Sequence, residues 1–156
     1  MNHTRRTVLK GAGASGVLTA LIAAGALKPA QVLAADWNKA AFDAKEVAAA
    51  LKGIGMDGAT ESKDLILTAP DIAENGAVVP VTVVSNIPNT TTVAVLVDKN
   101  PSPLSAQFDF ANGAVADVQV RLKLGQTTLV RAVAKADGKS YSAQKEVKVT
   151  VGGCGG

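Results

Sequence analysis

Histidine and cysteine are almost absent from this chain of 156 residues, in which His3 is the only histidine and Cys154 the only cysteine. One cysteine cannot form an intrachain disulfide or a cysteine-rich zinc or iron–sulfur site. His3 lies in an N-terminal segment that is expected to be removed on export, so the mature chain has no histidine. This excludes a histidine general base, a Ser-His-Asp or Cys-His arrangement and a histidine metal ligand. No G-x-x-x-x-G-K-[ST] run is present to hold a phosphate. We therefore expect a protein that is not an enzyme, with no catalytic, cofactor-binding or metal-binding residues.

The positive charge of the chain is concentrated at its N-terminus. The formal net charge is +3, but residues 1–34 contain four cations and no acid, the cations being Arg5, Arg6, Lys10 and Lys28. The remaining residues contain 12 lysines and arginines against 13 aspartates and glutamates, a net charge of −1. Binding to phosphates needs clustered cations, so no nucleic-acid partner is expected. The scattered carboxylates are expected to be solvated surface groups, among them Asp98, Asp109 and Asp117.

Residues 1–34 have the pattern of a cleaved export signal. A charged start, T-R-R-T-V-L-K from Thr4 to Lys10, precedes a Gly/Ala/Leu stretch and then small residues around Ala34. The paired arginines resemble a twin-arginine signal, with Val8 where that pattern favours phenylalanine. The apolar stretch is short and rich in glycine for a membrane span of about 20 residues. We predict that the mature protein is exported to the periplasm by the twin-arginine route and keeps no membrane anchor.

The mature chain is predicted to begin with one helix. Asn38 is a plausible N-cap and Gly53 a plausible C-terminal stop. Between them apolar residues recur at helical spacing, with Val47 beside them; they are Ala41, Ala44, Ala48 and Leu51.

From Ser62 onward the pattern changes to seven β-rich runs separated by turn residues. Several runs alternate in period two, as in V-Q-V-R-L-K-L from Val118 to Leu124, which is typical of half-buried antiparallel strands. Asp137-Gly138 predicts a hairpin between the last two strands. Residues 35–151 are therefore expected to form an immunoglobulin-like antiparallel β-sandwich of about seven strands with an N-terminal helix.

The chain ends in G-G-C-G-G, which places its only thiol between two pairs of glycines. Glycines have no side chains to pack and cost entropy when fixed, so residues 152–156 are expected to form a flexible arm. The arm consists of Gly152, Gly153, Cys154, Gly155 and Gly156. Extended, the three steps from Val151 to Cys154 span roughly 10 Å, and the arm is thin enough for a partner's narrow channel. A thiol without a local activating group suits a carrier better than a catalyst.

The terminal G-G-C-G-G after a V-K-V-T-V strand resembles the SoxY family, the sulfur-carrying subunit of the periplasmic Sox system for thiosulfate oxidation. The predicted export signal and the predicted N-terminal helix are also consistent with this resemblance. Further similar stretches are A-E-N-G-A-V-V-P-V (73–81), D-K-N-P-S-P (98–103), R-L-K-L-G-Q-T (121–127) and D-G-K-S-Y (137–141).

The resemblance implies that Cys154 is the covalent attachment point for sulfur intermediates. A SoxAX-like haem enzyme would join thiosulfate to it as a cysteine S-thiosulfonate, and a SoxB-like hydrolase would release sulfate. A SoxCD-like dehydrogenase would oxidise the remaining sulfane sulfur in some organisms. A second sandwich protein, SoxZ-like, would form a heterodimer with the chain.

Two other interpretations remain open from the residues alone. An exported structural or adhesive sandwich could use Cys154 only to crosslink chains. A carrier of the ubiquitin-like kind would instead load sulfur as a thiocarboxylate at the terminal Gly156. The glycines around Cys154 favour the thiol carrier over the crosslink, and the strand-rich pattern argues against the ubiquitin-like class.

Overall fold

A computed structural model describes residues 38–150 of the chain, so the predicted export signal and the G-G-C-G-G arm lie outside the described residues. Two short helices precede nine strands. The elements are α1 (Lys39–Asp43), α2 (Val47–Gly53), β1 (Thr60–Glu61), β2 (Leu65–Thr68), β3 (Ile72–Ala73), β4 (Val79–Ser85), β5 (Thr90–Val97), β6 (Leu104–Asp109), β7 (Asp117–Leu122), β8 (Thr128–Ala136) and β9 (Lys139–Val149). Within this range neither helix is long and apolar enough to cross a membrane.

The strands form two sheets packed face to face. The larger sheet has the order β1-β9-β8-β5-β6, with β3 also paired to β9, and the smaller sheet has the order β2-β4-β7. All pairings are antiparallel except those of β1 and β3, which run parallel to β9. The predicted mainly β sandwich is confirmed, and the seven predicted runs are the seven longer strands. The two-residue strands β1 and β3 escaped prediction because two residues cannot show a periodicity.

The single predicted helix is wrong, because the segment forms two helices. Asn38 caps α1 as predicted, its side chain accepting a hydrogen bond from the Ala41 amide. The chain then becomes extended at Ala44 (φ −57°, ψ 141°) before α2 begins. This break turns α2 so that Ala50 is fully buried whereas Ala48, which a continuous helix would bury, is exposed.

Two apolar clusters on the two faces of the larger sheet give the domain three layers. Alternate residues of β4 and β5, such as Val81 and Val95, meet between the sheets in the main core. On the other face of β5, Ala94 and Leu96 pack with Ala50 and Met56 of the helical segment. The helices therefore cover the outer face of the larger sheet.

The predicted hairpin between the last two strands is confirmed. Ala136 pairs with Lys139, and the two residues between them have positive φ angles, 49° at Asp137 and 73° at Gly138. Two left-handed residues in a row define a type I′ turn, whose twist matches that of the flanking strands. The hairpin sets the register of β9 along its entire pairing with β8.

Gly53 is needed for close packing of the two helices. A Cβ atom at this position would lie 2.9 Å from the Cβ of Ala41, an approach closer than van der Waals contact allows. We expect Gly53→Ala to lower the free energy of unfolding by about 1–3 kcal/mol through this overpacking, as measured by urea denaturation. Gly125→Ala is the matched control, because no atom lies within 4 Å of its added Cβ. Equal stability of the two variants would contradict the packing role of Gly53.

Candidate functional site

The predicted arm begins at Gly152, so the end of β9 is the described part of the chain that lies nearest to it in sequence. Val149 is the last residue of β9 and Thr150 the last described residue. Cys154 and the four glycines of the arm lie outside the described residues. Cys154 is four positions after Thr150, which limits the distance between their Cα atoms to about 14 Å.

Strand β3 holds one edge of β9 at its end. Ile72 and Ala73 pair in parallel with Lys148 and Val149. The Lys148 amide donates a hydrogen bond to the Asp71 carbonyl at 2.9 Å, and the Thr150 amide donates to the Ala73 carbonyl at 3.1 Å. This edge of the strand is therefore bonded as far as the last described residue.

A side chain from the segment before β8 holds the other edge. Antiparallel pairing with β8 reaches Val147, whose partner is Thr128. Two residues further on, the Val149 amide donates a hydrogen bond to the Thr127 hydroxyl at 3.1 Å. The threonine hydroxyl thus continues the ladder beyond the last backbone pair, and both edges of the arm's base are fixed.

Lys145 ties the segment between β2 and β3 to β9. Its ammonium group donates a hydrogen bond to the Ala69 carbonyl at 2.5 Å and lies 3.0 Å from the Asp71 carboxylate. Its side chain is one-third exposed, and Asp71 is almost fully exposed. The ion pair with Asp71 is therefore screened by water, and the hydrogen bond to the Ala69 carbonyl contributes more to holding this segment against β9.

Three loops lie at the same end of the sandwich as Val149 and Thr150, which we call the base of the arm, and we call these loops the collar: residues 74–78, 98–103 and 123–127. The Leu124 amide donates to the Gly76 carbonyl at 2.7 Å, joining the first and third loops. The Asn100 side-chain amide donates to the Lys123 carbonyl at 2.9 Å, joining the second and third. The collar is thus bonded across both sheets.

A bidentate ion pair anchors the second collar loop. The Arg131 guanidinium donates to the two carboxylate oxygens of Asp98 at 2.7 and 2.9 Å, and to the side-chain carbonyl of Gln144 at 2.8 Å. The hydrogen bond to Asp98 raises the pKa of Arg131 above its ordinary value. Asp98 was expected to be a solvated surface acid, but its side chain is only 22% exposed because this pair draws it against β8. Asp109 and Asp117 are exposed, as expected.

Three of the four internal stretches singled out in the sequence meet at this end of the sandwich. Residues 73–81, 98–103 and 121–127 contain the three collar loops, whereas residues 137–141 form the hairpin at the opposite end. Residue spacing alone does not reveal that these stretches share a position. Alternating strand directions indicate it, because β4 begins, and β5 and β7 end, at this end of the sandwich.

A cleft of about 450 Å³ lies at the end of the sandwich opposite the arm. It lies between the segment 85–91 and the segment 110–116, and no lining residue carries a titratable side chain. Among residues 38–150, no group of three potential ligands could hold a metal ion. Neither the cleft nor the collar offers an acid–base pair.

Comparison with known proteins identifies a family and a solved relative. The family model described as "Sulfur oxidation protein SoxY" matches residues 51–154. The sulfur carrier protein SoxY from Chlorobium limicola is 37% identical, with a TM-score of 0.58 over 64% of this chain and 93% of that chain.

A more distant likeness concerns the fold alone. A superoxide reductase (neelaredoxin) from Ignicoccus hospitalis is 21% identical, with a TM-score of 0.50 over 55% of this chain and 79% of that chain. No curated protein sequence matches the chain significantly.

Thr127 is expected to protect the last amide of β9 from solvent. Thr127→Val keeps the side-chain shape but removes the acceptor for the Val149 amide, a loss of about 1–1.5 kcal/mol locally. Amide hydrogen exchange should therefore become about tenfold faster at Val149 and stay unchanged in the middle of β9. Thr82→Val is the control, since this hydroxyl on the outer face of the smaller sheet makes no hydrogen bond with the described residues. Unchanged exchange at Val149 in the Thr127 variant would show that the hydroxyl does not hold the strand end.

Proposed function

The chain belongs to the SoxY family of sulfur oxidation proteins, and on this premise we propose that it carries intermediates of thiosulfate oxidation covalently on the thiol of Cys154. One observation carries this proposal: the family match extends to residue 154, four residues beyond the last described residue, which follows a strand end bonded on both edges. The likeness to a sulfur carrier protein over nearly its whole length supports the same assignment.

The carrier cycle needs only the sulfur atom of Cys154 from this chain. In the loading step, the thiolate and the outer sulfur of thiosulfate form an S–S bond, and two electrons pass to a SoxAX-like haem enzyme. In the next step, a SoxB-like hydrolase adds water to the terminal sulfonate sulfur, so that sulfate leaves and a persulfide remains on Cys154. A SoxCD-like dehydrogenase would oxidise that sulfane sulfur where it is present.

The described domain fits the part of a carrier that enzymes act upon. Residues 38–150 contain no histidine and no cysteine, and their carboxylates form no cluster with other potential ligands. The domain instead provides a firm base for the arm, through β3 on one edge and Thr127 on the other. Residues 152–156 would supply the thin, adaptable segment that enters each enzyme.

We place this carrier in the periplasm, as part of a heterodimer with a SoxZ-like sandwich subunit. Residues 1–34 would be the twin-arginine export signal, residues 35–151 the folded domain and residues 152–156 the arm. The family membership supports the thiol carrier over a crosslinking adhesive sandwich and over a thiocarboxylate carrier loaded at Gly156.

Replacing the thiol tests the proposal directly. Wild-type protein incubated with thiosulfate and the loading enzyme of its Sox system should gain a thiosulfonate adduct on its C-terminal peptide. Cys154→Ser should gain none while unfolding at the same temperature as the wild type, because the change lies beyond the last described strand. Mass spectrometry of the intact protein and of the peptide provides the measurement. An adduct on the serine variant, or an unmodified Cys154 in the loaded wild type, would refute the thiol carrier.

The thinness of the arm should matter for processing but not for folding. Gly153→Val adds a β-branched side chain that stiffens the backbone and widens the arm next to the cysteine. We expect loading and hydrolysis by the partner enzymes to slow about tenfold or more, as a small displacement of a reacting group can cause. Alkylation of Cys154 by a small neutral reagent should change less than about twofold. Ala111→Val, at an exposed position at the opposite end, is the control. Wild-type turnover of the Gly153 variant with every partner enzyme would remove the need for a slim arm.

A further inference from the structure

The short arm imposes contact between the carrier domain and any enzyme that receives the thiol. Cys154 lies at most about 14 Å from Thr150 along a fully extended chain, and Thr150 is bonded to Ala73 at the base of the arm. If the reacting atoms of an enzyme lie several ångströms below its surface, most of the extended arm must enter the enzyme to reach them. The surface of such an enzyme must therefore come close to the collar whenever Cys154 reaches the reacting atoms.

The collar is well suited to such contact because its loops are joined to one another and to the sheets. Hydrogen bonds connect Leu124 to Gly76 and Asn100 to Lys123. The Lys99 amide also donates to the Thr128 hydroxyl at 3.1 Å, which ties the second loop to the start of β8. Little ordering is then needed when a partner binds, which favours association.

The charges of the collar and the adjacent strand end are mostly positive. Lys99 and Lys123 are exposed on two collar loops, and Lys148 is exposed on β9 beside the base of the arm. None of the three has an ion-pair partner among residues 38–150. Of the acids at this end, Asp98 pairs with Arg131 and Asp71 with Lys145, which leaves Glu74 in the collar and Glu146 on β9 without an ion-pair partner among residues 38–150.

The opposite end of the sandwich has the reverse charge. Six carboxylates lie in or next to its connecting segments within residues 38–150, against three lysines, Lys63, Lys135 and Lys139. The carboxylates are those of Asp57, Glu61, Asp64, Asp109, Asp117 and Asp137. Residues 38–150 as a whole hold twelve cations and twelve anions, so the asymmetry is one of placement and not of composition. Such a charge distribution turns the arm end toward a negative surface during encounter.

We propose that the collar is a docking surface shared by the enzymes that process the arm, and that each of them presents an acidic rim around the entrance that admits Cys154. The inference rests on the proposed carrier function. The three lysines lie on separate segments around the arm's base, an arrangement that matches an extended protein surface better than a single small anion. Because each enzyme covers the same collar, only one can occupy the carrier at a time.

Charge reversal at the two ends of the full mature chain tests the docking surface. The collar variant carries Lys99→Glu and Lys123→Glu, and the matched control carries Lys63→Glu and Lys139→Glu, with the same change in net charge. We expect kcat/KM for loading by the Sox loading enzyme to fall about tenfold in the collar variant at low salt. The deficit should shrink as salt shortens the Debye length to about 3 Å at 1 M. The control should stay within about twofold of the wild type at every salt concentration.

A chain that cannot carry cargo distinguishes two effects of the lysines: binding of the enzyme to the collar, and attraction between the lysines and the anionic cargo. The Cys154→Ser chain should compete with the wild type for the loading enzyme, and its inhibition constant should rise about tenfold when Lys99 and Lys123 are also reversed. An unchanged inhibition constant alongside slower loading would assign the lysines to the anion and overturn the docking proposal.

The remaining outcomes are also decisive. Equal effects of the collar and control pairs would overturn the proposal, as would faster loading of the collar variant, which indicates a basic rim. In either case an adduct on Cys154 of the wild type would leave the carrier function standing. Absence of that adduct would refute the carrier function and the docking surface together. Circular dichroism and the alkylation rate of Cys154 check that both variants keep the fold and a reactive thiol.

Discussion

Strand β9 has bonding partners on both edges, and the proposed presentation of the thiol depends on this double attachment. The antiparallel ladder with β8 fixes its register from the Asp137-Gly138 turn up to Val147. The parallel pairs with β3 and the hydroxyl of Thr127 then hold the strand to its end. Were either edge unpaired, the last residues of the strand could separate from the sheet and the proposed arm would have no fixed origin. In the carrier that we propose, several enzymes would need to find the base of the arm in the same place.

The helices that complete the packing and the loops that form the collar lie in different parts of the domain. The helices cover the outer face of the larger sheet, and their contact with the collar is at the second loop, where the Lys45 ammonium donates a hydrogen bond to the Ser102 hydroxyl at 3.4 Å. The collar loops are held by hydrogen bonds to each other and by the pair between Asp98 and Arg131. The resulting collar is positive, whereas the far end of the sandwich is negative. In our proposal the carrier contributes one sulfur atom to the chemistry and directs its partners through the collar.

Local patterns predicted most of the β structure, and long-range packing explains the misses. Alternation identified the seven longer strands, because one face of each is buried and the other is wet. The hairpin followed from Asp137-Gly138, since few residue pairs accept two positive φ angles. The break at Ala44 could not be predicted, because neither glycine nor proline lies between Asn38 and Leu51 to mark it. The break exists because burying both Ala41 and Ala50 against one sheet requires a turn between them. Strands β1 and β3 exist only through β9, so their own residues could not reveal them.

The sequence by itself determined the proposed attachment point and its surroundings along the chain: one thiol, two pairs of glycines and a family match that reaches Cys154. These are local properties, so no folding is needed to read them. Only the tertiary structure decided which loops lie together at the end of β9. Gly76 and Leu124 are far apart in the chain, as are Asp98 and Arg131, and alternate strand directions bring them to one end of the sandwich. Their proximity arises from strand order and register, which residue spacing alone does not specify.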